Sequence, residues 1–131
     1  MFPDCPGEYS DAGFLNELAR RTGCGLILDV YNLECDAHNH QFGISAFLDD
    51  LGMENVRELH LAHGVEHNGF LLDVHSQLTS PSTVQLAREA IMRAGGSAQV
   101  AIYEFMPEAV PGLGYDTIAN ELQHLRSAVQ S

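Results

Sequence analysis

Apolar positions along this chain follow two alternating rhythms, one spaced by three and four and one nearly continuous. Ser10 to about Thr22 shows the first rhythm, with Phe14, Leu15 and Leu18 on a predicted inner face, Ser10 as cap and Gly23 as stop. Cys24-Gly-Leu-Ile-Leu-Asp-Val30 shows the second and predicts a strand covered on both faces, ending on Asp29. Tyr31 to Gly43 is polar, rich in Asn and His, and reads as a loop. A short helix over Ser45 to Leu51 turns Phe47, Leu48 and Leu51 inward and stops at Gly52, before Val56 to Leu61 gives a second strand.

Ala62 to Thr79 predicts a long loop that bears histidines, within which Gly69 to His75 has the composition of a short extended segment. Ser80-Pro81 opens a helix whose buried face is Val84, Ala87, Ile91 and Ala94, ended by Gly95-Gly96. Ala98 to Glu104 is a third strand and Pro107 to Gly114 a loop. The last helix, from about Tyr115 to Val129, places Tyr115, Ile118, Leu122, Leu125 and Val129 inward. Helices alternating with strands predict an α/β fold with a parallel sheet of three strands and a candidate fourth. No repeat or linker divides the 131 residues, which are expected to form a single domain.

Composition narrows the function. The formal net charge is −12, from 18 Asp and Glu against six basic residues, so nucleic acid is not an expected partner. All six basic residues are Arg, which excludes a lysine Schiff base or a phosphate-loop lysine in this chain. Three cysteines, Cys5, Cys24 and Cys35, fit no paired zinc spacing; Cys24 is expected to be a small buried hydrophobe. No apolar run approaches the roughly 20 residues of a membrane helix, and Met-Phe-Pro-Asp-Cys-Pro lacks the regions of a signal peptide, so a cytoplasmic location is expected.

Six of the seven histidines, His38, His40, His60, His63, His67 and His75, fall between positions 38 and 75. Functional residues in α/β folds gather at the carboxyl ends of strands. Asp29, His60 and Glu104 end the three predicted strands, while Asn32, His40, Asp73 and His75 lie in the segments that follow strands. Asp73 and His75, like His38 and His40, are two apart and would share a side if extended. Imidazole mixed with carboxylate suits iron, zinc or manganese better than magnesium or calcium. The plainer alternatives are a loop-capping carboxylate, a hydrogen-bonded core histidine and acid–base catalysis without metal. His124, on the final helix, is expected at the surface.

The run Gly23 to Asn32, then Ala37-His-Asn-His40, Glu58-Leu-His-Leu-Ala62, Leu72-Asp-Val-His75 and Tyr103-Glu104, resembles the C-terminal part of the MbnB-like family of multinuclear iron proteins. That family includes the iron subunit of methanobactin biosynthesis and relatives that modify cysteine in other ribosomally made peptides. The resemblance implies a (β/α)8 barrel with two or three irons at its mouth, and a partner protein that presents the precursor peptide. It places Asp29, Asn32, His40, His60, Asp73, His75 and Glu104 on positions tied to the metal centre.

The chain also departs from the family pattern. A complete barrel takes about 250 residues, so the resemblance covers only a C-terminal portion and leaves out N-terminal metal-binding histidines. The usual Ala-Gly-His is Ala62-His63-Gly64, Tyr31 replaces Asn, Gln41 replaces Gly and Phe105 replaces Trp. An incomplete barrel bares strand edges and an apolar face, so a homo-oligomer or closure by a missing N-terminal half is expected. Two other readings stay open: a non-catalytic remnant or interaction module, and a zinc or manganese hydrolase or isomerase on a similar barrel.

Overall fold

The computed structural model describes residues 9–130. Cys5 and the N-terminal hexapeptide lie outside the described residues. Helix α1 (Asp11–Thr22) starts where the Ser10 hydroxyl accepts from the Gly13 N–H at 3.1 Å, and ends at Gly23 with φ 72°. Strand β1 (Leu26–Asp29) leads directly into α2 (Val30–His40), which is followed by α3 (Ile44–Asp50) and β2 (Val56–Leu61). A hairpin, β3 (Val65–His67) and β4 (Phe70–Leu72), precedes α4 (Pro81–Ala94), β5 (Val100–Tyr103), the single turn α5 (Val110–Leu113) and α6 (Tyr115–Gln130).

The main sheet has three parallel strands in the order β1-β2-β5. The candidate fourth strand does not join it, because β4 pairs antiparallel with β3 in a separate two-stranded sheet. The turn between them is Asn68-Gly69, both at positive φ (51° and 82°), as a two-residue hairpin requires.

Side chains of the main sheet alternate. Leu26, Leu28, Leu59 and Leu61 are buried in a core completed by Val30, Leu33, Leu48, Ala87, Ala90 and Leu125 from the helices. On the opposite face Ile27, Val100 and Ile102 are 62%, 48% and 39% exposed. The expectation of strands covered on both faces is therefore met on one face only among the described residues. Ile27 pairs across to Glu58, and Ile102 to His60, so this open face is continuous over three strands.

The largest correction concerns 31–43, which is mostly helix α2 rather than loop. Its buried residues, Val30, Leu33 and Ala37 with Tyr31 and Cys35, do recur at helical spacings. Asp29 is the cap, its carboxylate accepting from the Asn32 N–H at 2.8 Å. Further corrections concern exposure: Phe14, Leu18, Tyr115 and Leu122, expected inside, are exposed. So is Cys24, which lies just before β1, outside the paired strand. No helix among the described residues is long and apolar enough to cross a membrane.

Candidate metal centre

Three strand ends bring the site together. Asp29, the last residue of β1, pairs in register with His60 of β2. Glu104 follows β5, and its N–H donates to the Leu61 carbonyl at 2.9 Å, extending the ladder by one step. Glu104 then reaches both imidazoles: its Oε1 lies 3.2 Å from His60 Nδ1, and its Oε2 lies 3.4 Å from His75 Nδ1.

A turn, not strand alternation, places Asp73 beside His75. The Val74 N–H donates to the Leu72 carbonyl at 3.0 Å, and His75 adopts φ 47°. This left-handed conformation is held from two sides, by Met106 N–H donating to the His75 carbonyl and Ser76 N–H donating to the His63 carbonyl, both at 2.9 Å. His75 Nε2 then sits 2.8 Å from Asp73 Oδ1, and Asn32 Nδ2 donates to Asp73 Oδ2 at 3.3 Å.

Two groups of side chains could hold a metal ion, each with ligand atoms within 4.8 Å of one another: Asp29 with His60 and Glu104, and Asp29 with Asp73 and His75. Asp29 belongs to both. One of its oxygens caps α2, which leaves the other available. Burial raises the Asp29 carboxyl above its usual range; the Asn32 N–H and His75 oppose this, while Asp73 and Glu104 add to it. Burial disfavours a charged His60, yet its hydrogen bond to Glu58 and the charges of Glu104, Glu58 and Asp29 outweigh that and raise it. Crowded carboxylates facing imidazole nitrogens are a donor set that a cation would relieve.

The structure brings Asp29, Asn32, His60, Asp73, His75 and Glu104 together and leaves His40 apart. His40 is exposed in the last turn of α2, about 16 Å along the axis from Asp29 at 1.5 Å per residue. His38 and His40 are helical, so they do not share a side; His38 Nε2 instead meets the Gly69 carbonyl at 2.9 Å. His67 is exposed at the hairpin, bonded to Asn68 at 3.1 Å, and His124 is exposed on α6.

His63 turns inward. Its ring packs on Tyr31, centroids 4.5 Å apart, with Nδ1 buried and unpartnered among the described residues. The inverted Ala62-His63-Gly64 order has a steric cause: a Cβ at Gly64 would stand 1.8 Å from the Leu72 carbonyl oxygen, so only glycine lets the hairpin cross there. Sequence reasoning missed Glu58, whose Oε1 lies 2.5 Å from His60 Nε2. The signal was its position two residues before His60 on one strand face.

The pattern of the RiPP precursor modification enzyme family MbnB/TglH/ChrH matches residues 5–129. The chain belongs to this family. It is the family that the motifs from Gly23 to Glu104 resemble. Similar curated proteins agree: a UPF0276 protein of Psychromonas ingrahamii is 42% identical over 79 residues, covering 57% of this chain and 28% of that protein. UPF0276 proteins of Chromobacterium violaceum and Anaeromyxobacter sp. are 40% identical over 94 residues and 34% over 107, covering 72% and 82% of this chain. The chain spans about a third of these relatives' length, 33% and 37% for the last two. In this member of the MbnB/TglH/ChrH family, both candidate ligand groups lie within the matched residues.

Proposed function

We propose that this chain supplies one wall of a multinuclear non-haem iron centre that oxidatively modifies cysteine in a ribosomally made precursor peptide. The observation that carries the reading is the pair of ligand groups sharing Asp29, with Glu104 spanning His60 and His75. Asp29, His60 and Glu104 would hold one ion, and Asp29, Asp73 and His75 a second. Asn32 supports the second group by orienting Asp73. His40, which the family resemblance also ties to the centre, stands outside this arrangement. Imidazole and carboxylate donors suit iron, and iron held there would supply the redox chemistry for thiol oxidation by dioxygen.

The protein's own residues supply position. The α2 cap fixes Asp29, the paired strands set Asp29 and His60 side by side, and the His75 turn is tied to residues on either side of it. In this reading the parallel sheet is part of a (β/α)8 barrel closed by polypeptide beyond these 131 residues or by another chain, and a partner protein presents the peptide. The bare face carrying Ile27, Val100 and Ile102 supports such closure.

Anaerobic loading with ferrous iron, removal of free metal and elemental analysis test the reading. Stoichiometric iron, and oxygen uptake with a cysteine-containing peptide once the N-terminal part of a full-length relative is added, is the expected result. Zinc or manganese retained in preference to iron, with activity independent of oxygen, would favour a hydrolase or isomerase instead. Absence of both metal retention and complementation would favour the non-catalytic remnant.

A further inference from the structure

Glu58 belongs to neither candidate ligand group, yet it makes the shortest contact to one of their histidines. It sits on β2, two residues before His60, so both side chains emerge on the open face of the sheet. Its Oε1 lies 2.5 Å from His60 Nε2, while Nδ1 of the same ring faces Glu104 Oε1 at 3.2 Å. A neutral imidazole has one N–H to share between two carboxylates. The shorter contact takes it.

We infer that Glu58 is a positioning residue: it holds the proton on Nε2 of His60 and fixes the ring so that the Nδ1 lone pair faces Glu104. The inference rests on the proposed metal reading for its purpose, though not for its geometry. A histidine that ligates a metal through one nitrogen commonly donates its other N–H to a carboxylate, which sets tautomer and ring orientation. Without Glu58, the carboxylate in direct contact with the ring is Glu104, at Nδ1. The proton would move to Nδ1 and occupy the lone pair that a metal needs.

Long-range 1H–15N spectra of the metal-free chain test this directly, recorded at a pH where the ring is neutral and with His60 assigned by loss of its signals in His60→Gln. The wild type should show a protonated Nε2 and an unprotonated Nδ1, and Glu58→Ala should exchange the two. Glu58→Gln, whose side-chain oxygen still accepts, should keep the wild-type pattern, and it provides a folded comparison should the alanine variant fold poorly. Zinc alone, a diamagnetic probe, then adds an affinity readout in competition with a chelator. Glu58→Ala should bind about 10- to 100-fold more weakly, Glu58→Gln less so, and in the zinc-loaded wild type Nδ1 should carry the coordination shift.

A protonated Nδ1 in the neutral wild type, an unchanged tautomer in folded Glu58→Ala, or zinc on Nε2 would overturn the inference. If the wild type retains no zinc yet shows the expected tautomers, the metal reading fails and the positioning role of Glu58 stands.

Discussion

Cys24 and Cys35 sit in opposite environments and should react accordingly. Cys24 is exposed before β1, whereas Cys35 is buried on α2 beside Tyr31 and Ala62. Burial pushes the Cys35 thiol up to about 11, against the hydrogen bond from Tyr31 and with the charges of Asp73, Glu34 and Asp36 adding to the rise. Since the thiolate is the nucleophile, brief iodoacetamide treatment of the native chain should label Cys24 and spare Cys35 until denaturant is added. Peptide mass spectrometry reads the difference. Equal labelling would mean that α2 does not pack as described.

At the metal site the sign of the pH dependence follows from His60 and Asp29. Both bind their proton more tightly folded than unfolded. For His60 the stabilisation is complete below the usual value of 6.5 and is lost as pH rises through its raised folded value. For Asp29 it is complete below 3.8 and is likewise lost on the way up. The metal-free chain should therefore melt at a lower temperature at about pH 8 than at about pH 6. A bound cation needs these groups deprotonated, so loading with metal should weaken or reverse the trend.

Among the elements, helix α2 shows how one residue can hide another's role. As a strand-end carboxylate Asp29 is expected either as a ligand or as a cap of the next loop; what it caps is a helix, α2. Asn and His dominate the solvent face of that helix and masked the spacing of Val30, Leu33 and Ala37. Elements bounded by plain start and stop residues were legible: β2 matched residue for residue after Gly52, and α4 began after its Ser80 cap and ended at Gly95. The strand-end rule also singled out Asp29, His60 and Glu104, which the fold sets side by side. His40 stands away from this neighbourhood because the segment read as a loop is helical and carries it to the far end of α2.

The hairpin carried a readable sign as well, since Asn-Gly is the preferred two-residue turn. Gly69 at φ 82° has no neighbour within 4 Å to clash with an added Cβ, so the cost of Gly69→Ala is conformational alone. That substitution should weaken the hairpin by about 1–2 kcal/mol. Hydrogen exchange should show faster exchange at the β3 and β4 amides and unchanged protection in β2. Uniform loss of protection would mean that the hairpin and the main sheet unfold as one unit.

For the molecule as a whole, the open sheet face sets solution behaviour. Besides Ile27, Val100 and Ile102, a groove of about 480 Å³ runs between β5 and α6, with Leu59, Tyr103, Leu122 and Val129 among its walls. Apolar surface of this kind and the outer edges of β1 and β5 favour association. Light scattering should therefore give the isolated chain a mass above its 14.3 kDa. A dispersed monomer that unfolds cooperatively would show that the face is stable in water as it stands.

The central claim is that one carboxylate, Asp29, serves two metal positions. Asp29→Asn separates this role from helix capping, because asparagine caps as well as aspartate while carrying no charge. Iron per chain after anaerobic loading of the wild type, Asp29→Asn and His75→Ala is the deciding measurement. Asp29→Asn should lose iron from both positions while its circular dichroism stays that of the wild type, and His75→Ala should lose only the share held with Asp73. Equal iron content in wild type and Asp29→Asn would contradict the account.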